Sequence, residues 1–131
     1  MKGKIKVGDK KFFQRIVMQE DLAQFESGGI VHPLYSTFAL GRDAEWVCRL
    51  FVLEEKEEDE EGIGVSLDIQ HVSPAPLGSQ VEFEAELVEF TANLIVCIYQ
   101  ASVKGRVVAK GSQTQRILKR AKIQSIISNI E

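Results

Sequence analysis

The hydrophobic period of this chain changes once, from helical to alternating, and that change constrains the fold more than any other feature. Between Tyr35 and about Glu55 there is no proline, and at 100° per residue Leu40, Ala44, Val47, Cys48 and Phe51 fall on one face. Ala39, Trp46 and Leu50 form a second apolar strip, so this helix must be wrapped by other structure. Ser36 or Thr37 is its expected N-cap. In "GIGVSLDIQHV" (62–72) the pattern alternates instead: Ile63, Val65, Leu67 and Ile69 are expected on one face, with His71 continuing it. "VEFEAEL" (81–87) sets Val81, Phe83, Ala85 and Leu87 against three glutamates, which suits a sheet with one wet face. "LIVCIY" (94–99) reads as a central strand, and 103–118 as its hairpin partner turning at Lys104-Gly105.

Ahead of the helix, "KKFFQRIVM" (10–18) is β-rich, and "EDLAQFESGGIVHP" (20–33) reads as an irregular connection because of its Gly-Gly and Pro. In the tail (119–131) Ile123, Ile126, Ile127 and Ile130 recur at helical spacing, which predicts a short packing helix, or one that meets an interface or a partner. The order is therefore a strand, a long helix and four strands: an α+β chain whose antiparallel sheet closes one face over the helix. With 131 residues, 44% of them apolar, one domain over 1–131 is expected.

Composition narrows the function classes. No apolar run approaches the roughly 18 residues of a membrane span, and "MKGKIKVGDKK" lacks the apolar core of a secretion signal, so a cytoplasmic protein without membrane attachment is expected. Cys48 and Cys97 lie in apolar stretches without neighbours at metal-ligand spacing, which points to free buried thiols and to no metal. The run "EEKEEDEE" (54–61) carries seven acids and one base, and is expected as a solvated loop rather than an acidic docking surface. Basic residues are scattered and not interleaved with aromatics, which argues against nucleic acid.

Three side chains carry possible chemistry. Glu45, four residues before Arg49 and three after Arg42, has the spacing of ordinary helix-surface ion pairs. It also borders Cys48 and Gly41 at the edge of the apolar arc, where a desolvated carboxylate would have the raised pKa of a general base. His71, on the strand face expected under the helix, is either a core histidine bonded to backbone or a titratable partner for Glu45. Thr37 is a plain cap or a hydroxyl suited to a thioester carbonyl near helix N–H groups. His32, before proline, looks like a loop residue, and Gly62 and Gly64 suggest a bulge or close backbone approach.

"TFALGRDAEW" (37–46), "GVSLDIQHVSPAPLG" (64–78) and "VEFEAELVEF" (81–90), taken together, resemble the hotdog-fold thioesterases, most closely the fluoroacetyl-CoA thioesterase family. Thr37, Glu45 with Trp46, and His71 match that family's order and spacing; so do Gly64, Pro76 and Gly78 around the histidine. The resemblance implies a hotdog fold, in which a five-stranded antiparallel sheet wraps one long central helix, and a homodimer with acyl-CoA sites near the subunit interface. It also implies roles: Glu45 activates water or attacks the thioester, His71 assists by proton transfer or by holding the acyl group, and Thr37 orients the carboxylate or carbonyl. Gly64, Pro76 and Gly78 would frame substrate binding. No cofactor is implied, since coenzyme A is part of the substrate. The chain departs from the family where "SGGIVHPL" (27–34) lacks the aromatic lid of the fluorinated-substrate specialist, and where "GSQTQR" (111–116) replaces a "GTHER"-like segment. Hydrolysis of a small or medium acyl-CoA is the expected activity. Two other readings are a non-catalytic acyl-CoA binder with Glu45 locked by its arginines, and a hydratase or dehydratase on the same fold.

Overall fold

The computed structural model describes residues 1–130. Strand β1 (Lys10–Ile16) leads through a 3-10 turn (Gln19–Asp21) into β2 (Leu22–Phe25) and β3 (Gly29–Tyr35), then helix α1 (Thr37–Glu55). Strands β4 (Glu60–His71), β5 (Gln80–Thr91), β6 (Leu94–Val103) and β7 (Arg106–Lys119) follow, and α2 (Arg120–Ser128) ends the chain. The main sheet is antiparallel in the order β1-β5-β6-β7-β4. It curls around α1, whose Leu40, Ala44, Val47, Cys48, Phe51 and Val52 are completely buried. The five-stranded sheet around one long helix is the expected fold, with β6 in its centre. No helix of the described residues is long and apolar enough to cross a membrane.

Local chemistry explains most of these elements. The Ser36 side chain accepts from Ala39 N at 2.9 Å, so Ser36 is the N-cap and Thr37 is released for other contacts. Val81, Phe83, Ala85 and Leu87 of β5 are buried, as their alternation predicts. The β6–β7 hairpin turns on Lys104 (φ 50°) and Gly105 (φ 81°), a pair of positive φ values that suits a tight type I′ turn.

Four expectations are corrected. Residues 20–33 are not irregular: β2 and β3 form a separate two-stranded hairpin, with Gly29 at φ 67° taking the turn. The face of β4 is not continuous either, because the pairing with β7 skips Val65, a bulge that inverts the alternation. Gly62 and Gly64 therefore face α1 before the bulge, and Leu67 and Ile69 after it, while Ile63 and Val65 are exposed. The acidic run is not a solvated loop. Glu55, fully buried, accepts from the backbone N–H groups of Gly3, Lys4 and Ile5, and buried Glu60 takes the N-terminal amine and Glu57 N. The tail does form a helix, yet α2 buries no residue, and Ile126 and Ile127 lie exposed.

Candidate active site

The β2–β3 hairpin, the first turn of α1 and the end of β4 enclose a cleft of about 610 Å³. Thr37 and His71 meet in it, with Oγ1 and Nδ1 3.0 Å apart. The residues before Thr37 are fixed in place. The preceding Tyr35 is buried, its N–H donating to Ala75 O and its hydroxyl to Asp43 Oδ2 at 2.5 Å, while Ser36 N donates to Asp21 O. Asp21 itself is sealed under Arg15 and Arg42. Burial pushes its pKa up, but hydrogen bonds from Arg15, Met18 N and Arg42 outweigh that and hold it below the usual carboxylate value. This network ties β1, the hairpin and α1 into one frame around Thr37.

His71 is half-buried, and its Nε2 is enclosed without a hydrogen-bond partner among the described residues. Burial lowers its pKa from the ordinary 6.5, with the Ser73 backbone acting in the opposite sense. In the single chain burial thus favours the neutral ring, and the Thr37 hydroxyl, able to donate or accept, holds Nδ1 in either tautomer.

Glu45 lies two helical turns further along α1, beside Gly64, where an added Cβ would stand 3.5 Å from Glu45 Oε1. The side chain is exposed in the single chain, and the ion pairs suggested by its spacing do not form. Arg42 is taken by Asp21 and Asp43, and Arg49 by Glu61 at 2.9 Å. Glu45 shares its surface recess with Phe13, Trp46 and those two arginines, and does not line the Thr37–His71 cleft. Pro76 and Gly78 do not line that cleft either. They belong to a turn in which Ser79 N donates to Pro76 O, Gly78 sits at φ 88°, and Gly78 N donates to Val17 O. On β7, Gln113 and Gln115 are buried and bonded to each other at 2.8 Å in the segment that departs from the "GTHER" pattern.

Three cleft residues escaped the sequence reading: Phe25 of β2, Phe38 of α1 and His32 of β3, which is a strand residue and not part of a loop. The Gly-Gly between two β-capable runs was a hairpin signal that would have placed Phe25 and His32 opposite the helix start.

The model of a family described as fluoroacetyl-CoA-specific thioesterase matches residues 17–121, most of the chain. The chain belongs to that thioesterase family. Among solved structures, a hypothetical protein of Thermus thermophilus described as a thioesterase superfamily member is 29% identical, with a TM-score of 0.91 over 96% of this chain and 93% of that one. The fluoroacetyl-CoA thioesterase FlK superposes with a TM-score of 0.84 at 16% identity, covering 97% of this chain and 98% of its own. A hot-dog-like protein from Thermanaerovibrio acidaminovorans gives 0.83 at 19%, covering 92% and 89%. No curated protein matches the sequence at a significant level. The fold is thus the hotdog fold of this thioesterase family, and the cleft and Glu45 lie within the matched span.

Proposed function

We propose that this chain hydrolyses small or medium acyl-CoA thioesters, at sites completed by two copies of the chain. The observation that carries the proposal is the separation of Glu45 from Thr37 and His71. Glu45 is eight positions past Thr37, on the order of 12 Å of helix axis, and His71 is seven positions past Gly64 on β4, so one chain does not unite them. A second copy does. Strand β4 is the long, unpaired edge of the sheet, with exposed Ile63, Val65 and Leu67. Antiparallel self-pairing about a two-fold axis at Asp68, with Val65 bulged out of the register, sets Gly64 of one copy opposite His71 of the other, with Cα atoms roughly 5 Å apart. Opposed residues in such a pair point to the same face. The bulge at Val65 is what puts Gly64 and His71, seven positions apart, on one face.

In that arrangement Glu45 over Gly64 reaches the imidazole of the second copy. Glu45 acts on the thioester carbonyl either by taking a proton from attacking water or by attacking directly. His71, oriented by Thr37, holds the carbonyl or moves the proton, and collapse of the tetrahedral species expels the thiolate; on the direct route water then cleaves the Glu45 anhydride to release the acid and restore the carboxylate. The mechanism requires no metal. Arg42 and Arg49, engaged elsewhere, leave Glu45 free, which argues against a mere binding protein. A variant of FlK has been solved in complex with fluoroacetate and CoA. Here 27–34 offers no aromatic, and Phe25 and Phe38 furnish the cleft's aromatic surface instead, which supports a non-fluorinated acyl group.

The test is thiol release from a panel of acyl-CoAs by the wild type and by Glu45→Ala and His71→Ala. Loss of turnover in both variants is expected; undiminished turnover by Glu45→Ala contradicts the assignment.

A further inference from the structure

Beside the cleft stands a cation, Arg106, without a counter-ion among the described residues; it bonds to the cleft residues Ser73 and Pro74. The β6–β7 turn delivers Arg106 as the first residue of β7, and the register of that pair skips Val108. Val108 O accepts from both Val72 N and Ser73 N, which fastens the segment after β4 to the start of β7. Arg106 Nη1 then donates to Ser73 Oγ at 2.6 Å and to Pro74 O at 2.7 Å, while Ser73 Oγ donates to Val107 O at 2.6 Å. Ser73 and Pro74 line the same cleft as Thr37 and His71. The guanidinium is therefore oriented by two short bonds.

Both acceptors are neutral, and the charge is left uncompensated. Arg15, Arg42, Arg49 and Arg120 each pair with at least one carboxylate, whereas Arg106 has none among the described residues. Arg116 likewise has none there, but it donates to Asn93 Oδ1, outside the cleft. The Nε and Nη2 groups of Arg106 have no partner among those residues either. A guanidinium fixed through one nitrogen, with two N–H-bearing atoms free, presents the planar fork that matches an oxyanion. No carboxylate lines the cleft to compete for it.

We infer that Arg106 is an anion-binding residue that takes a phosphate of the thioester's carrier as it leaves the cleft. This rests on the acyl-CoA reading of the site. Arg106 is exposed and bonded to the cleft residues two and three past His71, which puts it within reach of a carrier that leaves the cleft beside them. A carboxylate on the far end of the acyl group has the same chemistry, and the test separates the two.

The experiment compares Arg106→Ala with wild type on three substrates: acetyl-CoA, the phosphate-free acetyl thioester of N-acetylcysteamine, and a carboxyl-terminated acyl thioester of N-acetylcysteamine. KM for acetyl-CoA rises about tenfold with kcat unchanged, the loss expected for one charge-assisted hydrogen-bonded contact, and both N-acetylcysteamine esters are unaffected. Arg106→Lys recovers part of the loss, and Lys104→Gln, which removes a charge from the same turn, changes KM less than about twofold. A penalty confined to the carboxylated acyl group overturns the assignment to the carrier, and an unchanged KM throughout overturns the site. A wild type inactive on every thioester contradicts the hydrolase reading instead. Calorimetric titration with CoA then decides the anion site on its own, since weaker binding by Arg106→Ala is expected and equal binding overturns it.

Discussion

Thr37 and His71 share one hydrogen bond, and two outcomes follow from it. Removing the hydroxyl in Thr37→Ala frees the ring to turn and leaves Nδ1 unpaired, so kcat falls roughly tenfold to a hundredfold, while Thr37→Ser retains most of the rate. The second outcome concerns pH. Burial depresses the folded pKa of His71 below 6.5, so the unfolded chain binds the proton more readily and the residue's contribution to stability is complete above 6.5. That contribution is lost as pH falls through the folded value. In the proposed dimer Glu45 of the second copy raises that pKa, so the effect of burial is read in Glu45→Ala, where NMR titration of the His71 ring is expected below 6.5. A ring that titrates above 6.5 in that variant contradicts the effect of burial. Gly64 supplies a third residue-scale test. A Cβ there meets Glu45 Oε1 at ordinary contact distance, so Gly64→Ala folds with stability changed by less than about 1 kcal/mol, yet fills space beside the carboxylate and lowers kcat/KM.

At the scale of elements, glycines and buried acids decide which strands can pass and where ends are pinned. A Cβ on Gly111 would stand 1.9 Å from Asp68 O, at the point where the Tyr99 hydroxyl donates to that same carbonyl at 2.6 Å. Gly111→Ala must therefore push β4 off β7 and costs about 3 kcal/mol or more, against almost nothing for Gly64→Ala; paired thermal melts measure the contrast. Glu55 plays a comparable part at the other end of the helix. Three backbone donors of the N-terminal arm end on its carboxylate, and Glu55→Ala leaves them without acceptors. We expect a loss of roughly 3 kcal/mol with faster hydrogen exchange confined first to residues 3–5 and the end of α1. The buried acids were not legible in the sequence: "EEKEEDEE" looks solvated because its composition records charge but not where the N-terminus folds back. The bulge at Val65 was marked by its neighbour Gly64, although the inversion of the strand face that follows from it was not read.

Over the whole molecule, what could be read in advance was what repeats. The alternation of 81–87 and the proline-free apolar run after Tyr35 each involve many residues acting in concert, so burial follows directly from pattern. The site was half legible. The elements suggested His71 as a partner for Glu45, whereas within one chain His71 meets Thr37 and Glu45 stands apart in its own recess. The exposed β4 edge is the link between scales: Leu67→Lys, placing charge on the proposed interface, lowers both the dimer fraction in sedimentation and the rate, whereas a variant that stays dimeric and active contradicts β4 pairing.

The most direct measurement mixes two dead proteins. Glu45→Ala and His71→Ala, co-refolded in equal amounts, form heterodimers in which one of the two sites draws its intact glutamate from one chain and its intact histidine from the other. With random pairing, thiol release from acetyl-CoA returns to about a quarter of the wild-type rate. A mixture that forms heterodimers and stays as inactive as its components would show that Glu45 and His71 do not act across two copies.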